Sequence, residues 1–239
     1  SKKTRDLVFI GGGHTHALVL RMSAMKPIEN VQVTVISDAT DVPYSGMLPG
    51  YLSGAYTYDE THIDIRALCE FAGAKFIHAK VTGIDREMKG VICEGRSTPI
   101  AYDTLSINIG SRPSVEHIRG AAEFAIKAKP VPQLIDGWKE IKQKHKERSD
   151  WIPNIVIVGA GAGGVELSMA INKGLSGRCS ITLLQKENRI LTTHAPTVAK
   201  KITQKLDQHK ITVLVDTIAD EITNELVILK GGKELKADY

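Results

Sequence analysis

Residues 155–166 read IVIVGAGAGGVE. The apolar run Ile155–Val158 stops at a glycine-rich turn, a helical pattern continues to about Lys173, and Ser180–Leu184 (SITLL) is apolar again. The order is strand, glycine turn, helix, strand, and the run lengths and periodicity suit a short buried strand followed by a helix. Gly159, Gly161 and Gly164 complete the pattern G-x-G-x-x-G. Such a turn aims backbone N–H groups and the positive end of a helix dipole at a pyrophosphate, in space that side chains would obstruct. Because a strand precedes the motif and a helix opens from it, the pattern predicts a dinucleotide site rather than only a tight strand-to-helix turn.

The same arrangement occurs about 150 residues earlier, near the N-terminus. Leu7–Ile10 (LVFI) ends in Gly11-Gly12-Gly13, a helical stretch runs from Thr15 to about Met25, and Val31–Ile36 (VQVTVI) reads as a second strand. Gly11 and Gly13 are in place, but His16 stands at the third glycine position. The helix is therefore expected to sit farther from the sheet, or His16 to turn outward. Taken by itself this loop also fits a structural glycine turn. His14 and His16 are two apart and fall on different helix faces with no third ligand nearby, so polar lining at the phosphate end or plain exposure is expected rather than a metal site.

A dinucleotide unit usually ends its second strand with an acid that bonds the ribose hydroxyls. Here the first unit has Ser37-Asp38 and the second Gln185-Lys186-Glu187. Asp38, one place late, can reach a ribose or cap a turn. Gln185 beside Lys186, with Arg189 nearby, lacks the carboxylate that would repel a 2′-phosphate, which leaves both NADH and NADPH open.

The rest of the chain is consistent with a globular α/β protein. In 239 residues, 42% are hydrophobic and 24% charged, and no run approaches the length of a membrane-spanning helix. A net charge of +4, with both signs interspersed, does not argue for nucleic acid. The basic run Lys139–Arg148 alternates with Glu140 and Glu147 as a solvated helix face would. Cys69, Cys93 and Cys179 form no close pair, so neither a zinc knuckle nor a dithiol centre is written here. The low, odd count without a signal peptide fits a reducing cytosol.

Between the two units, Thr61–Ala72 is expected to form an amphipathic helix, with Ile65, Leu68, Cys69 and Ala72 on one side, and Lys75–His78 a strand. Residues 81–108 suggest a small antiparallel meander that closes with Tyr102–Ile109 (YDTLSINI). Gly110–Pro113 breaks the pattern, and a helical segment interrupted by Pro130 and Pro132 leads to Trp151. A polar lead-in, Lys2–Asp6, precedes the first strand. Downstream, Thr197–His209 is expected as a helix, Ile211–Val215 as a strand and Ile222–Lys236 as a hairpin turning at Gly231-Gly232.

These loops and their order resemble the pyridine nucleotide-disulfide oxidoreductase superfamily, in which an NAD(P)H domain is inserted into an FAD domain. The resemblance covers essentially the whole chain. More narrowly, GGGHTH (11–16), YSGMLPG (44–50), HIDIR (62–66) and YDTLSINIG (102–110) are similar to the branch related to type II NADH dehydrogenases that is sometimes fused to selenide, water dikinase. YSGMLPG is the most specific of these, since its glycines and proline belong to no generic nucleotide-binding pattern.

The resemblance implies two Rossmann-like three-layer domains with a small antiparallel meander, an FAD-binding part over 1–115 and an NAD(P)H-binding part over 116–239. It implies that Gly11 and Gly13 face the FAD pyrophosphate with His14 and His16 at that end, that Ser37 and Asp38 meet the adenosine ribose, and that Val81 meets the adenine. Ser45, Gly46 and Met47 would lie near the flavin or ribityl chain, and Gly110 near the FAD phosphates. Gly159, Gly161 and Gly164, with Gln185 and Lys186, would bind NAD(P)H. Glu166 matches the family's acid where nicotinamide and flavin meet, although an exposed helix acid is its ordinary reading. The family's Ala-Thr-Gly turn is Asn108-Ile109-Gly110 here, so the threonine hydroxyl is lost.

The implied activity is hydride transfer from NAD(P)H to FAD and on to a small-molecule acceptor such as a quinone. No cysteine pair lies near Pro43–Gly50, so no protein dithiol would intervene. The superfamily later returns to close its FAD domain. This chain stops at Ala237-Asp238-Tyr239, where that return would begin, and is expected to be the N-terminal part of a longer polypeptide. The remainder would carry any membrane contact, giving a cytoplasmic or membrane-peripheral protein. Two rival readings are an inert or redox-sensing nucleotide-binding module, and a single-nucleotide reductase using only the second loop.

Overall fold

A computed structural model describes residues 4–111 and 113–239. Lys2 and Lys3 of the polar lead-in, and Arg112 of the Gly110–Pro113 break, lie outside the described residues. The chain divides into two compact units. One holds residues 4–45 with Tyr58–Ser111, and the other Gly46–Thr57 with residues 113–239.

The first unit opens with β1 (Arg5–Ile10), α1 (His14–Met25) and β2 (Val31–Ser37), the strands parallel and in register from Arg5↔Val31 to Ile10↔Ile36. After β3 (Asp41–Pro43) and a tight turn at Ser45–Met47 comes α2 (Leu48–Leu52), which belongs with the second unit. The first unit resumes with α3 (Tyr58–Thr61), β4 (His62–Asp64), α4 (Ile65–Phe71), β5 (Lys75–His78), β6 (Val81–Asp85), β7 (Gly90–Cys93), β8 (Ile100–Ala101) and β9 (Thr104–Ile107). Its parallel sheet runs β5-β2-β1-β9, and β6-β7-β8 form the antiparallel meander.

Successive side chains of β1 point to opposite faces, and both faces are covered. Phe9 packs with Ala17, Leu20, Val35, Ile65 and Cys69 on the helix side. Val8 and Ile10 pack with Ile36, Val91 and Cys93 on the meander side. These are the three layers that the apolar run of β1 anticipates.

Two expectations are corrected. Thr61–Ala72 is not one helix: His62–Asp64 pairs antiparallel with Asp41–Pro43, and α4 starts only at Ile65. The Asp64 carboxylate accepts the Ala67 N–H at 2.9 Å, and such a side-chain cap fixes a helix start regardless of the apolar periodicity around it. Nor does Thr104–Ile107 close the meander. It lies parallel to β1, with Leu7↔Thr104 through Ile10↔Ile107.

The second unit continues with α5 (Ala121–Phe124), α6 (Val131–Glu147), β10 (Asn154–Val158), α7 (Ala162–Gly174), β11 (Ser180–Leu184), α8 (Pro196–Gln208) and β12 (Thr212–Leu214). Pro132 falls in the first turn of α6, where its missing N–H costs nothing, so the helix begins there rather than breaking. The parallel sheet is β10-β11-β12. The last strands are β13 (Ala219–Ile222), β14 (Leu226–Leu229) and β15 (Glu234–Lys236); β14 and β15 form the expected hairpin turning at Gly231-Gly232, and β13 adds a third antiparallel strand beside β14. Ile155, Ile181 and Leu183 pack against the helices, while Leu184 packs against Ala219, Val227 and Leu229. This unit therefore has three layers as well.

Gly46–Thr57 joins the second unit through α2. At the end of α7, Gly174 lies against the Leu52 carbonyl, and a Cβ there would also come within 2.7 and 2.9 Å of the Trp138 ring. Gly163, in contrast, has open space around its missing side chain. Gly174→Ala is therefore expected to cost about 1–3 kcal/mol through overpacking, whereas Gly163→Ala should be neutral or stabilising by about 0.5–1 kcal/mol. Urea unfolding of the two variants checks this contrast.

Candidate functional site

α7 begins directly after Gly159-Ala160-Gly161. Gly161 is its N-cap residue, with no side-chain cap and no acid in the first turn. The first N–H groups of the helix thus lack a capping side chain and carry the positive end of the dipole. Gly159 has φ of 105°, a conformation that favours glycine. Gly164 needs its glycine for packing, because a Cβ would collide with the Gly159 carbonyl and lie 3.5 Å from Leu183.

Gly161 and Gly163 have no such reason. Neither has positive φ, and nothing lies within 4 Å of where a Cβ would stand. The protein leaves this space clear, and the residues fit a pyrophosphate placed over the helix start.

The end of β11 is occupied differently from expectation. Gln185 is 7% exposed, its Oε1 accepts the Ala160 N–H at 3.1 Å, and its Nε2 donates to the Arg189 carbonyl at 3.1 Å. Arg189 donates to the carbonyls of Ile190, Leu191, Thr192 and His194. Lys186 is exposed and faces Glu187 at 3.6 Å.

Glu166, one turn into α7, is exposed at a cavity of about 690 Å³ that is also lined by Gly46, Gly50, Ser53, Asn172 and Lys173. Two residues singled out from sequence, Gly46 and Glu166, thus line one cavity. Met47 precedes α2 as its N-cap residue.

The first glycine loop is built otherwise. α1 also begins at a glycine, Gly13, without a side-chain cap or an early acid. A Cβ on Gly11 would strike the Asn108 carbonyl and one on Gly13 the Asn108 side chain, so here the glycines admit Asn108. Gly110, with φ of 79°, has open space.

His16 does not turn outward, and both ring nitrogens are used within the protein. It is 1% exposed, stacked on Phe9 at 4.2 Å, with Nδ1 2.7 Å from the Gly11 carbonyl and Nε2 2.8 Å from Ser106 Oγ. A carbonyl only accepts, so Nδ1 carries the proton and Nε2 accepts from the serine. The ring fills the gap that a third glycine would have closed. Sequence periodicity could not signal Asn108 or Ser106, because both partners lie about 90 residues downstream on the neighbouring strand and its end.

His14 is exposed and stacks on Tyr44 at 4.1 Å. Ser37 is spent on its own turn, bonding both the N–H and the carbonyl of Ala39. Asp38 is exposed, and its carbonyl accepts from His78. Val81 is half-buried in β6, and Ser45 is exposed at the turn. Among the described residues no group of three or more His, Cys, Asp or Glu could hold a metal ion, and no helix is long and apolar enough to cross a membrane.

With this geometry, the chain belongs to the pyridine nucleotide-disulphide oxidoreductase family, whose model matches residues 5–239. It is 28% identical over 212 residues to the NADH dehydrogenase-like protein YutJ of Bacillus subtilis (strain 168), covering 88% of this chain and 57% of that protein. It is 24% identical over 264 residues to a probable NADH dehydrogenase of Dictyostelium discoideum, covering 98% of this chain and 57% of that protein. NDH2 from Plasmodium falciparum, solved in complex with NADH, has the same fold, with a TM-score of 0.82 at 17% identity over 99% of this chain and 54% of that one. The chain therefore spans little more than half the length of these relatives.

Burial holds the His16 imidazole below its ordinary pKa, outweighing the bond to Gly11. A histidine depressed in the folded state contributes stability that is present above the unfolded value and lost as pH falls through the folded one. Lowering the pH from about 7 to about 5 should accordingly lower the unfolding midpoint, and His16→Gln should flatten that fall. Thermal unfolding of both proteins across this window makes the comparison.

Proposed function

We propose that this chain is the nucleotide-binding part of a flavoprotein NAD(P)H dehydrogenase, holding FAD at the first glycine loop and NAD(P)H at the second. The observation that carries the reading is the clear space beside Gly161 and Gly163 at an uncapped helix start, which no packing or backbone demand explains. The family, and relatives that are themselves called NADH dehydrogenases, support the same chemistry.

FAD, when bound, accepts hydride from the nicotinamide and passes electrons on, so the protein needs no nucleophile of its own. Its contribution is to bind and orient. The uncapped ends of α1 and α7 would each neutralise a pyrophosphate, Gly110 leaves room beside the first, and Gly46 with Met47 belongs to the segment expected near the flavin. Glu166, at the rim of its cavity, is the side chain assigned to orient the nicotinamide.

Electrons leave for a small-molecule acceptor, a quinone being the class to try first, since no cysteine stands within Pro43–Gly50 to form a relay. The segments YSGMLPG and HIDIR favour the branch that is sometimes fused to selenide, water dikinase, acting in the cytoplasm or at a membrane surface. The domain limits implied by the resemblance, 1–115 and 116–239, remain part of this proposal.

Under anaerobic conditions, NADH or NADPH added to the FAD-loaded protein should bleach the oxidised flavin absorbance; flavin that stays oxidised with nucleotide bound would contradict the reading. Gly161→Val should fold normally, since open space surrounds it, yet lose nucleotide binding by about tenfold or more. Unchanged affinity in that variant would count against the second loop.

A further inference from the structure

We infer that the second loop accepts both NAD(H) and NADP(H), because the two side chains that would choose between them are committed to the protein's own backbone. The inference rests on the nucleotide-binding reading above and adds the selectivity of that site.

The adenosine ribose of a dinucleotide lies at the end of the second strand, where a carboxylate selects a free 2′-hydroxyl and an arginine a 2′-phosphate. Gln185 holds that strand-end position. It is neutral, buried, and uses its carboxamide oxygen on the Ala160 N–H and its nitrogen on the Arg189 carbonyl. It presents no charge to either nucleotide.

Arg189 is the nearby guanidinium suited to a phosphate fork. Its guanidinium instead donates to the carbonyls of residues 190, 191, 192 and 194. These bonds fasten a loop in which Leu191 adopts φ of 51°, an uncommon conformation for a side chain of this size. The Leu191 N–H in turn donates to the Ala160 carbonyl at 2.9 Å, so the loop steadies the glycine turn itself. Releasing Arg189 to a ligand would undo that support.

The remaining charges beside Gln185 are Lys186 and Glu187, with side chains 74% and 41% exposed, and Asp216, whose N–H donates to the Glu187 carbonyl. Lys186 can swing to a 2′-phosphate, and Glu187 can accept from a 2′-hydroxyl. Each is flexible and solvated, so neither gives strong discrimination.

Titration calorimetry of the chain with NAD⁺ and with NADP⁺ reads this directly. The expected dissociation constants lie within about fivefold of each other, less than one tenfold step. Lys186→Glu should weaken NADP⁺ by about tenfold and leave NAD⁺ nearly unchanged, while Gln185→Glu, which keeps an acceptor for Ala160, should shift the ratio the same way. A wild-type preference beyond about thirtyfold for either nucleotide would overturn the inference while leaving the proposed function intact. Binding of neither would sink both.

Discussion

At the start of α7, Gly164 lies against the carbonyl of Gly159, and no residue with a Cβ could take its place. That approach brings the helix onto the sheet, where Val165 and Ile171 join Ile155, Ile181 and Leu183 in one core. It also leaves the helix start open, with Gly161 as a cap that supplies no side chain. One turn thus meets the packing demand and, on the proposed reading, would also hold the anion. Gly164 serves the fold, whereas Gly161 and Gly163 serve the space above it.

The first unit solves the same problem with different parts. His16 replaces the third glycine and is buried on Phe9, tying the Gly11 carbonyl to Ser106 on β9. Asn108, at the end of that strand, fills the places that side chains on Gly11 and Gly13 would need. The loop is therefore shaped by its neighbouring strand rather than by close packing of helix on sheet. Both helices still start without a side-chain cap, which is the feature the two units share at their glycine turns.

Much of this was legible in the residues. The runs LVFI, VQVTVI, IVIV and SITLL formed parallel strands, and the glycine clusters fell at the strand-to-helix turns as the motif requires. What stayed hidden depended on partners distant in sequence. Thr104–Ile107 alternates like a meander strand yet pairs parallel with β1, a choice made by the sheet edge available to it. The capping carboxylate of Asp64 split an apparently continuous helix. The roles of Gln185 and Arg189 could not be read from composition, since a neutral amide and a guanidinium near a ribose position suggest ligand contacts, and only the folded loop shows their bonds to backbone.

The proposed function depends on the glycine turn of residues 159–164 as the place where a dinucleotide's pyrophosphate would be held. Amide chemical-shift mapping of the isotopically labelled chain during addition of NAD⁺ tests this most directly. The largest changes are expected on the backbone amides of Gly159–Val165. Saturating changes elsewhere, with those amides unmoved, would contradict it.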